Sequence, residues 1–149
     1  MHRDIFNVDE SGLFYRQLPG RALVRKGELN KKQKQQKERV TILLGCTKTG
    51  EKLQPLVIGK HEKPRPLKHV NMKTLGCSYA FNNNAWLTRS IFSDWINKLK
   101  DYFKKKERKI CIILDNFSRH MTSIPHSHIE LVYLPPGTTS VLQSLDCGI

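Results

Sequence analysis

Three aspartates stand far apart in a chain of 149 residues: Asp9, Asp115 and Asp146. Asp9 closes a short apolar stretch, Ile5 to Val8, and Asp115 closes an unbroken apolar run, Ile110 to Leu114. Asp146 comes 31 residues later, in Leu142-Gln143-Ser144-Leu145-Asp146. Two carboxylates ~4 Å apart repel by ~4 kcal/mol at an effective dielectric of ~20, so a cluster of them either takes up protons or binds a cation. Hard oxygen donors select Mg2+ or Mn2+, and Mg2+ keeps several waters while meeting substrate phosphates. Two such ions ~3.5–4 Å apart can activate water or a hydroxyl and stabilise the leaving oxygen, which is the chemistry of phosphodiester cleavage and strand transfer. An aspartate after a strand also serves as a simple turn former, and for Asp115-Asn116 alone that reading stands beside the metal one. The metal reading gains from three such residues occurring in a strongly basic chain.

The chain has 26 Lys and Arg against 13 Asp and Glu, a net charge of +13. The excess is gathered in patches. Arg21 to Arg39 has eight basic and two acidic residues, Lys60 to Lys68 four and one, and Lys98 to Lys109 seven and two. Such a distribution points to a polyanionic partner, with DNA the first candidate. The phosphate-contacting candidates are Arg21, Arg25, Lys26, Lys31, Lys32, Lys34, Lys37, Arg39, Lys60, Lys63, Arg65 and Lys68. The lysine-rich loop from Lys31 to Lys37 is also a weak nuclear-localisation signal, and the expected compartment is the nucleus. At 38% hydrophobic residues the chain is too apolar for a disordered tail, and no run approaches the ~18 apolar residues of a membrane span. A membrane partner is therefore not expected. The opening Met1 to Phe6 lacks a signal-peptide pattern. Cys46, Cys77, Cys111 and Cys147 form no Cys-x-x-Cys pair, so neither a zinc knuckle nor a disulfide-linked partner is expected. Cys46 and Cys111, inside apolar runs, read as buried small hydrophobes. His126-Ser127-His128 lacks a third ligand and is not read as a metal site.

The elements that must position the aspartates follow from periodicity. Ile5 to Val8 reads as a strand, and Ser11-Gly12 as a turn leading into a second, Leu13 to Leu18. Val40 to Cys46 is rich in β-branched residues, Thr47 to Gly50 makes a turn, and Leu53 to Ile58 returns. Ile110 to Leu114 has the continuous apolar character of a strand covered on both faces, and Ile129 to Leu134 is a further strand stopped by Pro135-Pro136-Gly137. Between about Thr88 and Lys105, Ile91, Phe92, Trp95, Ile96, Leu99, Tyr102 and Phe103 fall on one helical stripe. Thr88 caps this helix, Lys104 to Lys106 suit its C-terminal dipole, and Trp86, Trp95 and Phe103 read as core. A helix of that length can cross over a sheet and return the chain to a parallel strand. The predicted fold is α/β, with antiparallel strands at one edge and parallel strands in the middle. A right-handed crossover then puts Asp9 and Asp115 on the same rim.

In chain order, six segments resemble motifs of Tigger/pogo-type transposases, whose catalytic region is a DDE superfamily endonuclease domain. They are Asn7-Val8-Asp9-Glu10-Ser11-Gly12; Lys37 to Leu44; Pro55 to Lys60; Trp86-Leu87-Thr88 with Ile91, Phe92 and Trp95; Leu114-Asp115-Asn116 with His120 following; and Leu134 to Ser140 with Leu142 to Asp146. The resemblance covers about residue 5 to 149. It implies a ribonuclease-H-like mixed sheet with a crossover helix, and a site in which Asp9, Asp115 and Asp146 hold two divalent metals, Mg2+ or Mn2+. It also implies DNA cleavage at transposon ends and strand transfer. Departures from the family pattern are Ser144, where the family commonly has Pro, and Cys147, where it commonly has Gln. The family also carries helix-turn-helix domains upstream and a helix after the third aspartate. The chain is accordingly expected to be a single, truncated DDE endonuclease-like domain spanning 1–149. It reads as a DNA-binding domain with a metal-dependent site, or alternatively as a catalytically inactive, domesticated DNA-binding or scaffold remnant.

Overall fold

Alternation along the first strand sets the architecture. Phe6 and Val8 are fully buried, Ile5 is 40% exposed and Asp9 half-buried, so one face of the strand enters the core and the other does not. The computed structural model describes residues 4–16, 38–71, 74–116, 127–138 and 145. The elements are β1 (Ile5–Leu13), β2 (Val40–Thr47), β3 (Leu56–Gly59), a 3₁₀ turn (Arg65–Leu67), β4 (Ser78–Phe81), α1 (Arg89–Lys105), β5 (Ile110–Leu114) and β6 (Ile129–Tyr133). The six strands form one sheet in the order β4-β3-β2-β1-β5-β6. This mixed sheet with a crossover helix is the α/β, ribonuclease-H-like arrangement expected for the family the motifs resemble.

The order of strand directions differs from the expectation. β1, β2 and β3 pair antiparallel at the centre, while β1-β5-β6 on one side and β3-β4 on the other pair parallel. β1 is also one strand rather than two: it runs through Ser11-Gly12, and Leu13 is its last residue. Ser11 and Gly12 make no turn here: they pair with Ile42 and Thr41 of β2, and the Arg39 guanidinium lies in ordinary contact distance over Gly12. Tyr15-Arg16 form a turn, and residues 17 and 18 lie outside the described residues.

Thr47 to Gly50 does turn the chain. The Gly50 N–H donates to the Thr47 carbonyl at 3.0 Å, with Gly50 at φ 86°, a left-handed conformation suited to glycine. The return segment then brings Leu53 over Gly45, whose Cβ would stand 2.7 Å from Leu53 Cδ1 and 2.9 Å from Val8 Cγ2. Only a residue without a side chain leaves room for both, so Gly45 lets Leu53 enter the core.

α1 covers one face of the sheet. Phe92, Trp95, Ile96, Leu99 and Phe103 are its buried residues, and Phe103 meets Phe6 of β1 with ring centroids 5.8 Å apart. Thr88 accepts a hydrogen bond from the Ile91 N–H at 3.4 Å as the N-cap. At the other end Glu107 takes φ 52°, and the Arg108 and Glu107 N–H groups donate to the carbonyls of Phe103 and Lys104 at 3.0 Å each. This is the left-handed C-terminal cap usually made by glycine. Trp86, expected in the core, is 42% exposed, and Tyr102, expected on the helical stripe, is 49% exposed.

Arg108 fastens the helix end to the sheet. Its guanidinium pairs with Asp4 at 2.8 Å and with Glu51 at 2.9 Å, and stacks on Phe103 at 5.3 Å. Hydrogen bonding from Arg108 holds the Glu51 carboxyl below the usual carboxylate range, while both acids push the Arg108 pKa upward.

Candidate active site

The residues of β1 that alternate with Phe6 and Val8 build the other face. They are Asn7 and Asp9, and Cys111, Ile113 and Asp115 share that face from β5 and its end. β1 and β5 pair in parallel with Ile5 opposite Cys111, Phe6 opposite Ile112 and Asn7 opposite Ile113. Continued by two residues, the register sets Asp9 level with Asp115. Neighbouring strands are ~4.8 Å apart, so the two carboxylates leave adjacent positions on one face. Asp9 lies inside β1 rather than at its end, since the strand continues to Leu13 along β2. β5 ends at Leu114, so Asp115 is released from the ladder where its side chain can turn toward a ligand. Both carboxylates are half-buried, and Asp9 Oδ1 accepts from the Glu10 N–H at 2.8 Å.

Asp146 and His120 lie outside the described residues. Leu145, immediately before Asp146, is described: its N–H donates to Asn7 Oδ1 at 3.2 Å. Asn7 is two residues from Asp9 on the same face and only 9% exposed. The motif reading did not single out Asn7 as an anchor. The signal available was a polar residue at an otherwise apolar strand position, and such a buried amide needs a partner.

Among the described residues, no group of three or more His, Cys, Asp and Glu side chains could hold a metal ion. The described donors are the Asp9 and Asp115 carboxylates. As all-oxygen donors they fit Mg2+ or Mn2+, which share coordination with water and substrate, better than a softer metal. Cys46 and Cys111 lie on this same face and are half-buried, not fully buried as expected, because α1 packs on the opposite side. Burial pushes the Cys111 thiol up, which makes it a poorer thiolate donor. Cys46, Cys77 and Cys111 are free, and Cys147 lies outside the described residues.

Of the basic candidates, Arg21, Arg25, Lys26, Lys31, Lys32, Lys34 and Lys37 lie outside the described residues. Arg39, Lys60, Lys63 and Arg65 line one cavity of about 930 Å3 at the β3-β4 end of the sheet. Lys68 lines a neighbouring cavity of about 500 Å3. The Arg39 guanidinium is engaged inside the protein. It lies over the Phe14 and Trp86 rings at 5.8 and 5.6 Å and donates to Thr41 Oγ1 at 2.7 Å. Trp86, although partly exposed, thus has the Arg39 guanidinium over one face of its ring. Among the described residues, no helix is long and apolar enough to cross a membrane.

The family model for DDE superfamily endonucleases matches residues 37–149. Among curated proteins, the chain is 36% identical to Tigger transposable element-derived protein 4 of Mus musculus, over 99% of this chain and 28% of the relative. It is 31% identical to the human Jerky protein homolog, over 97% and 28%, and 32% identical to CENP-B homolog protein 2 of Schizosaccharomyces pombe, over 98% and 29%. The chain therefore spans less than a third of the length of these relatives. A solved structure, the Mos1 transposase paired-end complex with left transposon end, aligns with 87% of this chain and 35% of its own, at a TM-score of 0.48 and 10% identity. The family match and the Tigger-derived and Jerky relatives together give the assignment: the chain belongs to the DDE superfamily endonucleases, as a Tigger/pogo-type DDE domain.

Proposed function

We propose that residues 1–149 form a single DDE endonuclease-like domain that binds DNA in the nucleus. In this reading Asp9, Asp115 and Asp146 hold Mg2+ or Mn2+ for phosphodiester cleavage and strand transfer. The observation that carries it is the β1-β5 register, Asn7 opposite Ile113, whose continuation by two residues would bring Asp9 level with Asp115 on the face opposite α1. The Leu145 bond to Asn7, on that same face, supports adding Asp146. Bound divalent ions would supply charge stabilisation of the attacking and leaving oxygens. The chain's own contribution is to hold the carboxylates on rigid strands, so that their mutual repulsion favours cation uptake. The basic residues from Arg21 to Lys68 would carry the DNA backbone beside the site.

A Mn2+ titration followed by calorimetry tests the metal site. Saturable binding by the wild type that Asp115→Asn removes is expected, and Mn2+ should drive nicking of supercoiled DNA. Binding that Asp115→Asn leaves unchanged, or no saturable binding, sinks the metal reading. The second reading, an inactive DNA-binding or scaffold remnant, draws support from Ser144 in place of the family's proline ahead of Asp146. Serine does not fix φ and so holds the approach to Asp146 less firmly. That reading predicts DNA binding without nicking. Six to ten phosphate contacts should cost roughly 10³–10⁵ in affinity between ~50 and ~200 mM salt.

A further inference from the structure

We infer that the cavity beside Tyr79 takes unpaired nucleotides of a DNA strand rather than the duplex. This rests on the DNA-binding reading above and names the form of DNA that this part of the molecule holds.

The cavity measures about 930 Å3 and is bounded by Tyr15 and Tyr79, with Lys60, Lys63 and Arg65 among its lining residues. That volume is within the ~300–1,000 Å3 typical of clefts that enclose one small ligand. It admits one or a few nucleotides and excludes a double helix. Val57, Pro64 and Leu67 add apolar lining. Tyrosines and apolar surface suit a flat base, and lysine and arginine suit the phosphate joined to it; together these are the two components of single-strand binding sites. Arg16 also lines the cavity, but it is paired with Glu38 at 3.2 Å. Among the described residues, Lys60, Lys63 and Arg65 have no ion-pair partner, so the net charge is positive and available.

The tyrosines are held in place. Tyr79 Oη donates to the His61 carbonyl at 2.6 Å, and its ring lies across Gly59, where an added Cβ would collide with the Tyr79 hydroxyl. Gly59 is thus the close-approach residue that lets the ring lie flat on the sheet. Tyr15 Oη donates to Glu38 Oε2 at 3.0 Å. Burial and the nearby Tyr15 raise the Tyr79 pKa, so the two hydroxyls lie within electrostatic reach of each other.

The position matters as much as the lining. Ser11 pairs with Ile42, Ile42 with Val57 and Val57 with Tyr79, one row across the face that also bears Asp9. Three strand spacings make the span from Ser11 to Tyr79 ~14 Å. Asp9 is two residues further along β1, so ~16 Å across the sheet separates it from Tyr79, a distance that a few nucleotides of one strand can bridge. The smaller cavity shares Lys63, Leu67, Cys77 and Tyr79 with the larger one and adds Lys68 and Lys98, which continues a basic track around the β4 edge.

The test is fluorescence anisotropy of the full chain with a labelled twelve-residue oligothymidine and with a duplex of the same length. The oligothymidine should bind at least about 10-fold more tightly than the duplex, and Tyr15→Ala should cost about 10-fold on the single strand while moving duplex affinity less than about 2-fold. Equal or tighter binding of the duplex overturns the inference and leaves the DNA-binding reading standing. Failure to bind either DNA removes both. In a second measurement on the wild-type protein, an oligonucleotide carrying 5-iodouracil should photo-crosslink to the peptide holding Tyr15 or Tyr79. Crosslinks confined to other peptides overturn the inference independently of how any variant folds.

Discussion

The two faces of the sheet are built from the same strands and do opposite work. On the α1 side, Phe6, Val8, Leu43, Ile112 and Leu114 are no more than 1% exposed. On the other side, Ile5, Leu44 and Val132 are 40–41% exposed, and Asp9, Cys46, Cys111 and Asp115 are half-buried between them. Successive residues of one strand therefore alternate between the packed core and the face that carries the candidate carboxylates. Because the side-chain period is two, a slip of one residue would exchange the roles completely. The packed face pins the register, and the register sets Asp9 level with Asp115.

Truncating the packed face should have the largest effect. Phe103→Ala removes a fully buried ring packed at a tilt against Phe6 and beneath Arg108, and should cost about 3–5 kcal/mol in urea denaturation. The face opposite α1 should respond differently: Val132→Thr, at 40% exposure, should stay within about 0.5 kcal/mol of wild type. A comparable loss at both positions would refute the division of labour.

Arg108→Gln sits between these extremes. Its two carboxylate partners are partly exposed, so the loss should be about 1–2 kcal/mol near neutral pH. The Glu51 carboxyl releases its proton at lower pH in the folded protein than in the unfolded chain. The unfolded chain then binds more protons in that interval, and stability rises with pH through it. The benefit is present above the ordinary glutamate range near ~4.3 and fades as pH falls through the lowered value. Thermal melts below about pH 4 should therefore show wild type and Arg108→Gln converging. Parallel curves would remove the ion pair from the account.

Glu107→Gly should stabilise by about 1 kcal/mol, because Glu107 occupies a left-handed conformation that glycine adopts without strain. The smallest effect is expected for Asp115→Asn without metal. Its unfolding midpoint should stay near that of wild type, since the substitution keeps the shape of a half-buried side chain at the end of β5, whereas Mn2+ should stabilise only the wild type. A large destabilisation would mean that Asp115 serves folding instead of ion binding.

The elements with strong periodic patterns were legible in the sequence. α1 begins at Arg89 behind the Thr88 cap, one residue from the expected start, and β5 covers the expected Ile110 to Leu114. Ser11-Gly12 has the composition of a turn, yet β1 runs through it because both residues pair with β2, a partnership made across the fold. β4 was missed altogether. Ser78–Phe81 is a four-residue edge strand whose residues are half-buried or exposed, so it has no alternating pattern to read. With β4 went Tyr79, and with Tyr79 the cavity beside it. Trp86 was assigned to the core because a tryptophan ahead of an amphipathic helix usually is, and only the tertiary fold reveals the arginine beneath it.

Asp9 lies on β1 and Asp115 directly follows β5; the two strands are partners in space, but the two residues are 106 apart in the chain. β1 can find β2 early, as an antiparallel neighbour, but it waits for β5 until most of the chain has been made. Long-range parallel pairing is among the slowest steps in folding. A nascent or misfolded copy consequently holds these acidic groups apart. Whatever reactivity the domain has is withheld until synthesis has passed β5 and the sheet has closed around its first strand.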